Sequence, residues 1–163
     1  MSFDPESWAG ETAGLFELSL SEVTEVVTHW RDVGRQVTGD PGVELAGPFQ
    51  RHYTSLGTGV PPNFCLILTA EEAIAYKFDP AQIRHPILTS PGQFKGEKKR
   101  WPRGGLHATD VETGRLAWGV RIDVDGGKPL ACRTPRLPRN PAAAAVISVL
   151  GGELPGGGGQ EQG

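Results

Sequence analysis

The longest regular pattern in the chain is an alternation. Leu116, Trp118, Val120, Ile122 and Val124 are apolar, and Arg115, Ala117, Gly119, Arg121 and Asp123 between them are small or charged. Period two sustained this far predicts a strand over Arg115 to Asp125 with one face buried and one wet. Asp125-Gly126-Gly127 then turns the chain, and Leu130 and Cys132 return antiparallel. A different pattern marks Phe64 to Leu68, which is apolar throughout, as a strand covered on both faces must be. Thr69 to Glu72 reads as a turn, and Ile74, Tyr76 and Phe78 alternate with Ala73, Ala75 and Lys77, so the two segments form a hairpin. Weaker strand signals lie at Phe49–Ser55, Ile87–Leu88, Gln93–Lys95 and Leu106–Ala108, with Pro and Gly between them.

Two segments carry helical spacing instead. Val23, Val26, Val27, Trp30, Val33 and Val37 recur on one side of a stretch whose other side holds Glu22, Glu25, Arg31, Asp32 and Arg35. Ser19 with Glu22 makes a capping box, Leu18 with Val23 a hydrophobic staple, and Gly39–Gly42 a stop, predicting an amphipathic helix over 19–38. Were Trp30 exposed, this helix would be a self-association surface. Near the other end, Asn140 is an N-cap and Pro141 occupies the first helical position. An alanine run with Val146, Ile147, Val149 and Leu150 follows, closed by Gly151-Gly152, so a nearly uncharged helix spans 140–151. The organisation expected is a polar N-terminal arm over 1–18, with Trp8 and Phe16 able to dock on the body. One globular domain over 19–152 and a disordered Gly-rich tail over 153–163 follow.

Composition narrows the class. The chain has 163 residues, 37% of them hydrophobic, with 23 Gly and 14 Pro concentrated in turns and the tail, as in a turn-rich β domain with one core. A net charge of −3 argues against binding nucleic acid or an anionic membrane through bulk electrostatics. Cys65 and Cys132 sit inside apolar runs, no apolar run is long enough to span a bilayer, and no secretory leader opens the sequence. The expectation is therefore a cytoplasmic protein with buried, reduced thiols.

Candidate chemistry is sparse. His29, His52, His85 and His107 are scattered, without the spacing of a metal-binding motif, so no metal or cofactor is expected. Cys65 lies in a covered strand, which raises a thiol pKa rather than activating it. Neither Gly104-Gly105 nor Gly126-Gly127 is followed by the lysine and hydroxyl of a phosphate loop. The one concentrated feature is basic: Lys95, Lys98, Lys99, Arg100 and Arg103 surround Trp101 in a stretch that reads as a loop. A second group, Arg133, Arg136 and Arg139, precedes the last helix. Charge beside an indole suits an anionic ligand, a nucleic acid or an acidic peptide. The bland reading is a solvated face, with Trp101 in the core beneath lysine stems.

The hairpin from Leu68 to Tyr76 resembles the second and third strands of bacterial pleckstrin-homology-like (PH-like) domains. So does the run Trp101, Leu106, Val111, Gly114–Val124, Asp125–Lys128 and Leu130–Arg133 with its final helix. The resemblance covers roughly Arg51 to Leu150, with the β region at about 51–133. It implies an α+β, mostly antiparallel protein, as a PH-like barrel or bent two-sheet sandwich with the closing helix plugging an open corner. Members of this family bind lipids, peptides or proteins. The function expected is a non-enzymatic interaction or scaffold module. Its partner is a protein or a second copy of the chain, with an anionic lipid or nucleic acid as lesser choices and Lys98, Lys99, Arg100 and Arg103 as anion contacts. The alternative is a small carrier or enzyme using a barrel pocket, with Tyr76, His107 and Cys132 inside.

Overall fold

The computed structural model of the chain describes residues 3–80, 89–113, 117–135 and 140–154. Helix α1 (Pro5–Thr12) and helix α2 (Leu20–Thr38) precede strands β1 (Leu45–Arg51), β2 (Asn63–Leu68), β3 (Glu72–Phe78), β4 (Phe94–Pro102), β5 (Leu106–Thr113), β6 (Ala117–Val124) and β7 (Leu130–Pro135). Helix α3 (Pro141–Val149) follows. The strands form one antiparallel sheet in the order β4-β3-β2-β1-β7-β6-β5. It consists of two meanders, β1–β4 and β5–β7. The pairs Gln50–Arg133 and Arg51–Cys132 join them along a narrow seam. No helix among the described residues is long and apolar enough to cross a membrane.

Helix α2 forms as its end signals dictate. Ser19 Oγ accepts from the Glu22 amide at 3.2 Å, and Glu22 Oε1 accepts from the Ser19 amide at 2.9 Å. At the other end Gly39, at φ 72°, donates to the Arg35 carbonyl; this left-handed turn suits a residue without Cβ. The apolar stripe Val23, Val26, Val27, Trp30 and Val33 is buried: the helix lies on β1, α1 and α3, and Val26 and Trp30 share a core cluster with Ile67, Ile74 and Phe78 of β2 and β3. Trp30 is fully buried and packs on Phe78 with ring centroids 5.7 Å apart. The self-association surface imagined for this stripe is thus taken by the chain's own sheet. Its cover also explains why Phe64 to Leu68 is apolar on both sides: Phe64, Leu66 and Leu68 enter one core cluster and Cys65 and Ile67 the other.

Helix α3 is capped by Asn140, whose Oδ1 accepts from the Ala142 amide at 3.0 Å, and is buried from Pro141 to Ile147. It lies against β1 so closely that a Cβ added at Gly47 would sit 2.6 Å from Ala143 Cα. Only glycine permits that backbone approach. Trp118, Val120 and Ile122 point into the same core, and Arg121 is exposed, as the alternation requires.

Four expectations change. The sheet does not close into a barrel: no ladder joins β4 to β5 among the described residues. The end of α3 occupies that flank, where the Ala108 amide donates to the Leu150 carbonyl at 2.9 Å. Both edge strands are also irregular. β4 shifts register twice along β3, with Gly96 at φ 116°, and β5 shifts near Asp110, at φ 47°. Such breaks protect an edge from further pairing. Second, the basic stretch is not a loop but edge strand β4, with Trp101 buried. Third, the polar N-terminal arm contains a helix, and its Trp8 and Phe16 dock on the body as the sequence allowed. Pro5–Thr12 form α1, and an aromatic series Phe3, Trp8, Phe16 and Trp118, with successive centroids 6.0, 6.0 and 5.9 Å apart, pins this segment to the sheet. Fourth, the strand expected at Phe49–Ser55 begins earlier, at Leu45, and its last part is a 3₁₀ turn, Tyr53–Ser55. Ile87–Leu88, Leu116, His85, Arg136, Arg139 and the tail from Pro155 lie outside the described residues.

Candidate anion-binding cleft

A cleft of about 290 Å³ lies between β4, the β6–β7 turn and the β1–β2 connection. Trp101, Val124 and Leu130 line it on the core side, and Lys99, Arg100, Lys128, Asp125, Gly126 and Gly127 form its rim with Gly57 and Thr58. Each contributor is placed by a local cause. Lys99 stands opposite Ala75 on β3, on the same side of the ladder as Trp101, which pairs with Ala73. Lys128 follows the tight turn at Gly126, whose φ of 71° the hairpin requires.

The β1–β2 connection on the rim of the cleft is held in place. Ser55 Oγ accepts from the Ala131 amide at 2.8 Å, the His52 amide donates to the Ala131 carbonyl at 2.8 Å, and Arg51 Nη1 donates to the Val60 carbonyl at 2.6 Å. Gly57 and Gly59 adopt φ of 88° and 84°. Lys128 Nζ lies 3.5 Å from where a Cβ on Gly57 would sit, and Lys99 Nζ lies 3.9 Å from the corresponding point on Gly59. Two ammonium groups from distant parts of the chain therefore converge on one short glycine loop. Among the described residues neither makes an ion pair or hydrogen bond.

The four basic residues picked out of the sequence separate here. Arg100 is occupied: Nε and Nη2 donate to Glu97 at 2.9 and 2.7 Å, and Nη1 donates to Glu72. These contacts hold the Glu97 carboxyl below the ordinary carboxylate range and raise the guanidinium's own pKa. Arg103 is occupied too, donating to Glu44 at 2.7 Å and to the Thr69 carbonyl at 2.6 Å in a mostly covered site. Lys98 sits at the register shift and is exposed on the edge. Only Lys99 reaches the cleft with its charge unpaired, and its companion is Lys128, which the sequence reading did not select. The clue available was a lysine directly after a Gly-Gly turn, but nothing local links it to a residue twenty-nine positions earlier.

The pocket residues of the alternative reading do not meet. Tyr76 is on the face of β3 that α2 covers, packed edge-on against Phe94 with centroids 6.2 Å apart. Desolvation, with the nearby Glu97 charge, raises its phenol pKa. His107 is exposed on β5, its Nε2 3.2 Å from Asp125 Oδ1. Cys132 is buried in the inner core and, like Cys65, is a free thiol whose pKa burial pushes well up. These thiols are poor nucleophiles at neutral pH. Among the described residues no three His, Cys, Asp or Glu side chains are grouped as metal ligands would be.

Compared with models of known protein families, the chain matches none, and no curated protein sequence matches it.

Proposed function

We propose that the chain is a non-enzymatic interaction module of PH-like architecture that holds an oxyanion of a protein partner, a phosphate or carboxylate, between Lys99 and Lys128. The two meanders with their narrow seam, and an uncharged helix set into the corner between them, support the architectural part. The observation that carries the functional part is the convergence of two unpaired ammonium groups on the Gly57–Gly59 loop. Like charges brought together repel, so an anion between them relieves that repulsion and gains hydrogen bonds from both. The loop's glycines leave the backbone accessible to a close ligand. A protein suits the site better than a lipid surface, because Asp125 shares the rim and Glu97 and Glu72 stand beside it on the outer face of β3–β4. A flat anionic membrane would meet those carboxylates as well as the lysines.

Pyrophosphate is a suitable probe, and Trp101 in the cleft wall supplies a fluorescence signal. Titration at low ionic strength is expected to give saturable binding that weakens with salt. Lys99→Ala with Lys128→Ala should abolish it, whereas Lys95→Ala with Lys98→Ala should leave it within about twofold, since exposed charges at a distance are screened. Equal binding by the Lys99/Lys128 variant and the wild type would remove the cleft from the account.

A further inference from the structure

The outer faces of the two meanders differ, and the uncovered one carries a second surface. On β5–β7 the outward positions Ala117, Gly119 and Ala131 form an apolar floor under a trough of about 640 Å³. A Cβ built at Gly119 would meet nothing within 4 Å. The sheet order puts Asp110 and Glu112, on β5, along one bank, and Arg133 and His52, on β7 and after β1, along the other. Arg133 donates only to the neutral Gln50. Arg121, between the banks on β6, is paired with Asp123 and feels the charge of Asp110 at longer range, and neither Asp110 nor Glu112 makes a close ion pair among the described residues. Beside the basic bank the 3₁₀ turn projects Tyr53, 75% exposed and tilted against the His52 ring with centroids 4.4 Å apart, and Leu56, 64% exposed, follows it.

We propose that this face binds a second copy of the chain in a two-fold symmetric dimer, Tyr53 of each copy resting in the trough of the other. A two-fold interface must be self-complementary. This face holds both parts of such a fit, a projecting aromatic group and an unfilled apolar hollow. Its charges select the arrangement. A two-fold axis in the interface and parallel to the trough carries each acidic bank onto the partner's basic bank. Asp110 and Glu112 then meet Arg133 and His52, and the Tyr53 hydroxyl gains a carboxylate acceptor. An axis across the trough would set acid against acid, which is unfavourable. The small residues on the floor let the two sheets approach to the ordinary spacing of about 10 Å. This surface is separate from the lysine cleft, so either proposal can fail alone.

Sedimentation equilibrium of the full chain over a range of concentrations tests it. The wild type is expected to dimerise. Tyr53→Ser and Arg133→Glu should each weaken the dimer on the order of tenfold or more, as loss of an interface anchor or a like-charge contact does. Arg133→Glu combined with Glu112→Arg should recover it, and Leu20→Ser, which removes an exposed leucine on α2, should change nothing. A wild type that stays monomeric at its highest soluble concentration overturns the proposal. So does a dimer indifferent to Tyr53→Ser and Arg133→Glu, or a charge-swapped variant no better than Arg133→Glu alone.

Discussion

The β1–β4 and β5–β7 meanders share one sheet and one inner core, yet they treat their outer faces differently. Along β2 and β3 the outward side chains Cys65, Ile67, Ile74 and Phe78 are buried under Val26, Trp30 and their neighbours on α2. Along β6 and β7 the outward positions are Ala117, Gly119, Arg121, Ala131 and Arg133, and no helix among the described residues packs on them. Burial on a second face adds apolar area removed from water, at about 25 cal/mol per Å². It also uses up the surface. The first meander thus gains apolar burial on both of its faces, and the second leaves its outer face open to the proposed dimer contact. On β4, Arg100 is held by Glu97 and Glu72, whereas Lys99 beside it at the cleft has no ion-pair partner among the described residues.

The largest test of that division compares one substitution in each half. Trp30→Ala removes the centre of the α2 contact and should cost about 3–5 kcal/mol in urea unfolding, the usual range for a buried aromatic. Gly119→Ala on the bare face should stay within about 0.5 kcal/mol at protein concentrations too low for association. Comparable losses at the two positions would mean that the outer faces are not energetically distinct.

A second comparison uses the thiols. Cys65 lies beneath α2 and Cys132 beneath the uncovered sheet in the inner core. Both are buried with raised pKa, so a thiol-reactive probe at neutral pH should label neither until the chain opens. Ser19→Ala removes the α2 cap, at a cost of about 1 kcal/mol, and should speed labelling of Cys65 while leaving Cys132 unchanged. Fast labelling of Cys132 in the wild type would instead revive the reading of an active pocket.

The smallest effect concerns the Arg100 pairs. The Glu97 carboxyl has a lowered pKa in the folded chain, so its contribution is present at neutral pH. It is lost as the pH falls through that lowered value. Because both side chains are substantially exposed, Glu97→Gln should cost no more than about 1 kcal/mol at pH 7. The difference from wild type should vanish in acid. A gap that persists there would show that the side chain matters for reasons other than its charge.

What was legible in the sequence follows from where each signal comes from. The capping box at Ser19, the proline after Asn140 and the alternation through Trp118 are local, and each led to the right element. The uninterrupted run Phe64–Leu68 even announced the double cover that α2 and the inner core provide. Strand β4 was hidden because an edge strand with two register shifts keeps no clean period and shows its charges outward. Helix α1 was hidden because its eight residues form no clear apolar face and include Gly10; aromatic contacts to Phe16 hold it. The start of β1 was masked by Gly47 and Pro48, residues that ordinarily argue against a strand, and Gly47 is needed only because α3 lies against it. At the cleft, the sequence marked Lys99 but gave no means of knowing that Glu72, Glu97 and Glu44 occupy Arg100 and Arg103. Nor did it show that a turn beyond β6 delivers Lys128. Those are consequences of strand register, which charge runs do not encode.

Residue-resolved amide shift mapping by NMR during a pyrophosphate titration at low ionic strength tests the division of the molecule most directly. The resonances expected to move are those of Gly57, Gly59, Lys99 and Lys128, with Trp101 beside them, while Val26, Trp30 and Val33 on α2 stay still. Shifts centred on α2 or on Lys95 and Lys98, or no shifts at all, would contradict it.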